Sequence, residues 1–266
     1  MDKLQFELRG QQMNRIEAVS DVVFGFALTL LVVSIQAPRT YPDLINVMRG
    51  FPAFAFTFAV LMAVWVRHYY FFRYYGLDDF ATIVLNTLLL FLVLFYVYPL
   101  KFFVTVFLAN VWLSPLTGAS QIRDVPGGPG TLMVWGDQRG LVMIFGAGFA
   151  ALYLVFAAMY WHAYRTREVL RLNAFETAHT MTSVWSQLLC FGVGLLLVLG
   201  AYLLKPDEGG HAGYILFLVP VIWLWRGRQR SRDSRQTRPP TAVPRPAIGL
   251  PVALRFAINC SDRASR

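Results

Sequence analysis

Residues 15–35 read RIEAVSDVVFGFALTLLVVSI, and this stretch decides how the rest of the chain is interpreted. Its first turn and a half is polar, with the side chains of Arg15, Glu17, Ser20 and Asp21. The apolar run that follows has one hydroxyl in its middle, that of Thr29. A carboxylate at the centre of a membrane helix costs about 2.5–3.5 kcal/mol on insertion scales, and less near the helix end. If the stretch spans a membrane, Asp21 therefore needs polar partners or water.

The composition is that of a membrane protein with several helical spans. Of the 266 residues 56% are hydrophobic and only 15% are charged, and the mean hydropathy is +0.50. A soluble domain typically has about 45–50% apolar and about 25% charged residues. The two cysteines, Cys190 and Cys260, are too few for a disulfide framework. We therefore predict an all-α polytopic membrane protein.

Six apolar stretches predict six transmembrane helices. They lie at about 16–36, 51–72, 80–104, 140–162, 181–204 and 213–225. A short amphipathic piece over 43–49 precedes the second stretch, and a Pro- and Gly-rich loop over 110–139 separates the third from the fourth. The last part of the chain is rich in Arg, Pro and Ser. We predict a six-helix transmembrane domain over residues 1–226 and a disordered basic tail over 227–266.

The distribution of Lys and Arg predicts the orientation, because cytoplasmic segments carry an excess of these residues. With a cytoplasmic N-terminus the inner segments carry fourteen of them and the outer segments carry six. The inner set is Lys3, Arg9, Arg15, Arg67, Arg73, Arg165, Arg167, Arg171, Arg226, Arg228, Arg230, Arg232, Arg235 and Arg238. The outer set is Arg39, Arg49, Lys101, Arg123, Arg139 and Lys205. Both termini are therefore predicted to be cytoplasmic, in a multi-pass protein of the inner cell membrane.

The six arginines between Arg226 and Arg238 are predicted to contact anionic lipid headgroups. A nucleic-acid site would add a recognisable fold or interleaved aromatic residues, so no nucleic-acid partner is expected.

Elsewhere, the spacing of Glu176 and His179 on a helix suits a metal ligand pair. A carboxylate di-metal site needs such pairs from further helices, and no metal site is predicted.

Three embedded polar residues are predicted to lie at similar depth on three different helices: Asp21, His68 and Asn86. Trp65 lies three residues before His68 and so on the same face of its helix. Each polar group alone would be unsatisfied in lipid, whereas together they can form one hydrogen-bonded cluster. Such a cluster can serve simply as polar contact between helices.

The apolar part of the first helix has a stripe of its own. At about 100° per residue, Val22, Phe26, Thr29 and Val33 fall within about 60° of one another, and Ser20 and Asp21 point elsewhere. The stripe is either a packing surface inside one subunit or the lining of a pore. The spacing does not choose between these two interpretations.

The pattern Arg-x-x-x-Val-Ser-Asp at residues 15–21, which opens an apolar helix, resembles the signature of the endolysosomal potassium channel family and its bacterial relatives. Trp65-x-x-His68, Asn86 and Pro99 extend the resemblance, which covers about residues 12–100. It implies a six-helix subunit, a homotetramer and a pore lined by the first helices. It also implies potassium conduction without the carbonyl-lined filter of other potassium channels, and no cofactor beyond the permeant ion.

The resemblance also implies roles for individual residues. Phe26 and Val33, with Val22 on the same line, would form narrow apolar rings, and Thr29 would offer hydroxyls to a passing potassium ion. Arg15, Ser20 and Asp21 would join helices together, with Trp65, His68 and Asn86 as their partners. In two places the sequence departs from the family pattern. Val19 stands where the signature has Phe, and Phe26 stands where Leu or Ile is usual.

These observations predict a potassium-permeable cation channel rather than an enzyme. A secondary transporter that uses Asp21 and His68 is the first alternative, although no inverted repeat or broken helix is visible in the sequence. A non-conducting membrane oligomer sealed by Phe26 is the second. A membrane-embedded enzyme would need acids, bases or metal ligands that converge on one face, and the one predicted cluster, of Asp21, His68 and Asn86, fits a structural network better.

Overall fold

The fold is an antiparallel bundle of long helices. The computed structural model describes residues 8–10, 14–35, 37–108, 135–204, 213–216, 218, 219 and 222. Within these residues the helices are α1 (Arg15–Val33), α2 (Tyr41–Tyr75), α3 (Phe80–Leu108), α4 (Trp135–Arg165) and α5 (Ala174–Leu203). All five are long and apolar enough to cross a membrane. The predicted all-α membrane architecture is confirmed to this extent.

The predicted sixth span and the tail over 227–266 lie mostly or wholly outside the described residues, as do residues 110–134 of the loop predicted over 110–139. Of the sixth span, residues 213–216 form a short 3₁₀ turn. Tyr214 contacts Phe107 near the end of α3, and Ile215 and Leu216 pack against the hydrophobic core. This segment therefore lies at the end of the bundle where α3 terminates.

Three helices, α2, α4 and α5, begin earlier than the sequence predicts. Of these, α4 begins at Trp135, so residues 135–139 of the loop predicted over 110–139 are helical. The piece over 43–49 is not separate but forms the start of α2, whose first turn contains Pro42, where no backbone N–H is needed. Thr40 and Asp43 form a capping box there, and Asn173 and Glu176 form another that starts α5 at Ala174. With 35 residues α2 is about 52 Å long, which exceeds the roughly 30 Å hydrocarbon core.

The start of α1 and the loops between α2 and α3 and between α4 and α5 share one end of the bundle, here called the N-terminal end. Arg9 reaches across it to donate to both carboxylate oxygens of Glu176, at 3.1 and 2.9 Å. Gly10 exchanges hydrogen bonds with Arg73 at the end of α2. A Cβ on Gly10 would lie 2.4 Å from the carbonyl oxygen of Phe72, so the contact requires glycine.

Asp79, just before α3, is also bound at this end. It accepts hydrogen bonds from Thr82 at 2.5 Å and from His162 of α4 at 2.8 Å. Desolvation alone would raise the pKa of Asp79, but the hydrogen bond from Thr82 and the proximity of His162 outweigh it and lower the pKa. Asp79 thus joins α3 to α4 and is not simply a solvated loop residue.

At the opposite end, basic side chains cap the C-terminal ends of two helices. Lys101 of α3 donates to the carbonyl and hydroxyl oxygens of Ser34, at 3.1 and 2.6 Å. Arg139 of α4 donates to the carbonyl oxygen of Tyr202 at 2.6 Å. The last carbonyls of a helix have no partner within it and carry partial negative charge, so these cations stabilise the ends of α1 and α5.

Small residues bring α4 and α5 into close contact. A Cβ on Gly194 would lie 2.8 Å from the backbone nitrogen of Ala150 and 2.9 Å from its Cα. A Cβ on Gly146 would lie 3.1 Å from the carbonyl oxygen of Gly194. Because membrane helices gain no hydrophobic effect from leaving lipid, such close packing is a main source of their association.

Gly194→Ala is expected to destabilise the protein by about 1 kcal/mol. Overpacking costs about 2 kcal/mol, and the better helix propensity of alanine returns about 1 kcal/mol. Gly192→Ala is the matched control, since a Cβ there meets nothing within 4 Å. Thermal unfolding of both variants in one detergent checks the prediction, and equal melting temperatures would contradict it.

Candidate functional site: the two faces of α1

One face of α1 is buried in the subunit. Ser20, Phe24, Ala27 and Leu31 recur at helical spacing and are at most 4% exposed. They pack against the other helices, which fixes the rotation of α1 about its own axis. The rotation also determines which residues of α1 lie on its opposite face.

The opposite face carries the predicted stripe. Val22, Phe26 and Val33 are 58%, 61% and 70% exposed within the subunit, and Thr29 is exposed too. The Thr29 hydroxyl donates to the carbonyl oxygen of Gly25 at 2.9 Å, which leaves its lone pairs directed away from the helix. Within the described residues the stripe is therefore not a packing surface of the subunit, which was one of the two interpretations left open by the spacing.

Three of the predicted network residues meet behind the stripe. The amide nitrogen of Asn86 donates to the hydroxyl of Ser20 at 2.9 Å, and its oxygen accepts from Nε2 of His68 at 2.8 Å. All three residues are at most 3% exposed. The Ser20 hydroxyl donates in turn to the carbonyl oxygen of Ile16 at 2.7 Å. This chain of bonds joins α1, α3 and α2.

Asp21 takes part in a separate link. Its carboxylate accepts a hydrogen bond from Nε1 of Trp65 at 2.8 Å, and the Trp65 ring stacks on Tyr69. The predicted single cluster of Asp21, His68 and Asn86 is thus two adjacent links. The reason is geometric, because Ser20 faces into the bundle while Asp21, one residue later, points about 100° away.

Arg15 does not join either link. Its side chain is exposed on the same line as the stripe, and within the described residues it has no hydrogen bond to the other five predicted network residues. Val19, where the resemblance led us to expect Phe, is 59% exposed.

A polar contact between α2 and α5 inside the bundle was not predicted from the sequence. Arg67 of α2 donates to the side-chain oxygen of Gln187 at 2.5 Å and lies over the rings of Tyr153 and Phe156. From the sequence, Arg67 is only a basic residue near a helix end. A buried Gln on a facing helix gives no periodic signal, so spacing alone could not have found this contact.

The pair of Glu176 and His179 is used structurally. Glu176 is fully buried, bound to Arg9 and to the backbone of Asn173. Among the residues that the structure describes, no three His, Cys, Asp or Glu side chains are grouped so as to hold a metal ion.

The site thus consists of an apolar stripe with one hydroxyl. The described residues leave this stripe uncovered, and a buried polar network holds it in orientation. A single apolar stripe of this kind is covered by lipid or by another copy of the chain. Catalysis would require acid, base or nucleophile groups at hydrogen-bonding distance from a reacting atom, and the stripe offers only the Thr29 hydroxyl.

Comparison with known proteins identifies relatives. The family described as "Endosomal/lysosomal potassium channel TMEM175" matches residues 15–97. A potassium channel of Marivirga tractuosa is 38% identical over 242 residues, which cover 87% of this chain and 93% of the relative. A potassium channel of Chamaesiphon minutus is 28% identical over 195 residues, which cover 70% of this chain and 82% of the relative.

A solved structure is also similar. The crystal structure of a single-residue variant of the potassium channel MtTMEM175, in complex with a nanobody–MBP fusion protein, superposes with a TM-score of 0.72. It is 35% identical in sequence, and the match covers 87% of this chain and 99% of that one.

The long, antiparallel apolar helices define a polytopic helical membrane protein. The chain belongs to the endosomal/lysosomal potassium channel TMEM175 family. The resemblance predicted from Arg15, Ser20, Asp21 and the residues that follow them is confirmed at the level of the family.

Proposed function

We propose that the protein is a potassium-permeable cation channel in which α1 of each subunit lines the pore of a homotetramer. The observation that carries the proposal is the exposure of Val22, Phe26, Thr29 and Val33 on a helix whose other face is fixed in the bundle. Four copies of that face around an axis would enclose a narrow apolar path with one ring of hydroxyls. Membership of a potassium channel family supports the same conclusion.

The mechanism we propose is passive. Phe26 and Val33 form apolar rings that conduct when wetted and close by dewetting. Thr29 lies between them and offers its hydroxyl oxygen to a partly dehydrated potassium ion. Selectivity then depends on the cost of dehydration set against that contact, with no cofactor and no resident metal.

The wider setting belongs to the same proposal. The subunit has six spans, with residues 213–225 as the sixth and with both termini in the cytoplasm of a cell whose inner membrane holds the channel. Among the described residues the N-terminal end of the bundle carries the arginines Arg9, Arg15, Arg73, Arg165, Arg167 and Arg171, which supports this orientation. The tail arginines from Arg226 to Arg238 contact anionic lipids.

The transporter alternative is less well supported. It needs Asp21 and His68 to exchange protons or ions with a substrate path. Asp21 is bound to Trp65, and His68 is bound to Asn86 between the rings of Phe24 and Phe72. His68 lies behind the exposed stripe and Asp21 lies to one side of it, and both bonds hold helices together.

Reconstituted protein is expected to pass potassium in preference to sodium, and Thr29→Val is expected to reduce the permeability ratio several-fold. Valine keeps the branched shape and removes only the hydroxyl. Thr87→Val is the matched control, because Thr87 is also exposed and also donates to its own helix, at 2.8 Å from the carbonyl oxygen of Ile83. Reversal potentials across a planar bilayer with potassium on one side and sodium on the other measure the ratio.

An unchanged ratio in Thr29→Val would refute the role of the hydroxyl, and equal potassium and sodium permeability in the parent protein would refute selectivity. A flux that saturates and requires a second ion would favour the transporter. No current from well-folded protein would favour a pore sealed by Phe26.

A further inference from the structure

We propose that a groove at the turn between α4 and α5 binds the phosphate headgroup of an anionic phospholipid. The groove has a volume of about 550 Å³. Its wall carries the polar side chains of Tyr164, Arg167, Arg171 and Thr177, and Leu172 and Met181 contribute apolar surface. The proposal requires only that the protein lies in a membrane and does not depend on conduction.

The charge of the groove suits a phosphate. The residues that line it include two arginines, Arg167 and Arg171, and one acid, the exposed Glu168, so positive charge is in excess. Arg167 lies over the Tyr164 ring, with its Cζ 4.8 Å from the ring centroid, and this packing restricts the guanidinium. A restricted guanidinium loses less entropy on binding, and its planar set of donors matches phosphate oxygens in pairs.

The backbone of the turn is held in an unusual conformation. Arg171 has φ +50°, in the left-handed region that residues other than glycine rarely adopt. Backbone bonds within the turn and two bonds from Arg9, to the carbonyl oxygens of Leu170 at 2.8 Å and Arg171 at 3.3 Å, fix this conformation. The position of Arg171 relative to Arg167 is therefore set before any ligand arrives.

The surroundings indicate a lipid rather than a soluble phosphate. The turn joins two spanning helices, so it lies near the level of the lipid headgroups. Val169 at its tip is 84% exposed, and Trp161, one turn back on α4, is 42% exposed and lies beside Arg165. Exposed aromatic and apolar residues beside arginines are typical of a membrane interface. The apolar surface of Leu172, Ala178 and Met181 suits the start of an acyl chain.

The test uses the full-length protein purified in detergent, with phosphatidylglycerol and phosphatidylcholine titrated separately and bound lipid counted by native mass spectrometry. The parent protein is expected to retain phosphatidylglycerol preferentially. The double variant Arg167→Gln and Arg171→Asn is expected to bind it roughly 10-fold more weakly. Asn is chosen at 171 because it tolerates the left-handed conformation.

A matched control removes the same charge elsewhere. Arg39→Gln with Arg49→Gln removes two exposed arginines from the opposite end, and both double variants keep the tail arginines. A second variant, Ala178→Glu, keeps both groove arginines but adds a carboxylate at an exposed helical position that lines the groove. It is also expected to lose the preference for phosphatidylglycerol.

Three outcomes would overturn the proposal. The first is an unchanged preference in both groove variants. The second is an equal loss in the control, which would mean that any positive charge suffices. The third is displacement of phosphatidylglycerol by inorganic phosphate at equal concentration, which would identify the groove as a site for a soluble anion.

Discussion

Replacing Arg9 with Gln is expected to lower the free energy of unfolding by about 3 kcal/mol. The Glu176 side chain is 1% exposed, and the guanidinium of Arg9 is its ion-pair partner. Removal of one partner of a buried pair leaves an uncompensated charge, and this is far more costly than the loss of a surface ion pair. The Asn173 backbone N–H remains to Glu176, so the loss is expected at the lower end of the range for buried pairs.

Arg165→Gln is the control for this prediction, because Arg165 is exposed at the same end of the bundle. Its unfolding free energy is expected to change by less than about 0.5 kcal/mol. Thermal unfolding followed by tryptophan fluorescence in one detergent compares the two variants. Should both melt at the same temperature, Glu176 does not depend on Arg9 for its stability.

Replacing Asn86 with Leu is expected to destabilise the protein by about 2 kcal/mol. The change removes both hydrogen bonds of the Asn86 side chain and leaves Nε2 of His68 buried without its acceptor. An unsatisfied buried group costs about 1–3 kcal/mol in proteins generally, whereas interhelical hydrogen bonds in membranes average only about 0.6 kcal/mol each. The loss of the two Asn86 bonds, together with the unpaired Nε2–H of His68, therefore gives a cost between these two magnitudes.

The same substitution is expected to reduce potassium current, because Ser20 loses its connection to α3 and the orientation of α1 is then less restricted. Thr87→Val, the neighbouring exposed position, is the control in both measurements. A variant with lowered stability but a normal current per folded channel would show that the network stabilises the bundle without orienting the stripe.

The sequence was sufficient for the class of protein and for the family. Long apolar stretches force helices in lipid, because every backbone polar group must be satisfied within its own segment. The pattern around Ser20 and Asp21 then identified the family. Helix ends were less predictable, because the capping boxes of Thr40 with Asp43 and Asn173 with Glu176 extend α2 and α5 beyond the apolar runs.

The predicted site was only partly accessible to sequence reasoning. Periodicity placed Val22, Phe26, Thr29 and Val33 on one line, but a line of apolar residues on a membrane helix has no inherent preference between a neighbouring helix and a pore. Similar depth brought Asp21, His68 and Asn86 to one level without showing which of them would bond. The pairing of Arg67 with Gln187 left no sequence signal at all.

By itself the sequence determined that this chain forms apolar helices with a polar start to the first of them, since the cost of burying backbone and charge in lipid permits little else. Only the tertiary structure decided which way α1 faces. The contacts of Phe24, Ala27 and Leu31 and the bond between Ser20 and Asn86 fix its rotation, and rotation depends on packing against neighbours that are distant in sequence. That rotation exposes the line from Val22 to Val33 and turns Asp21 toward Trp65.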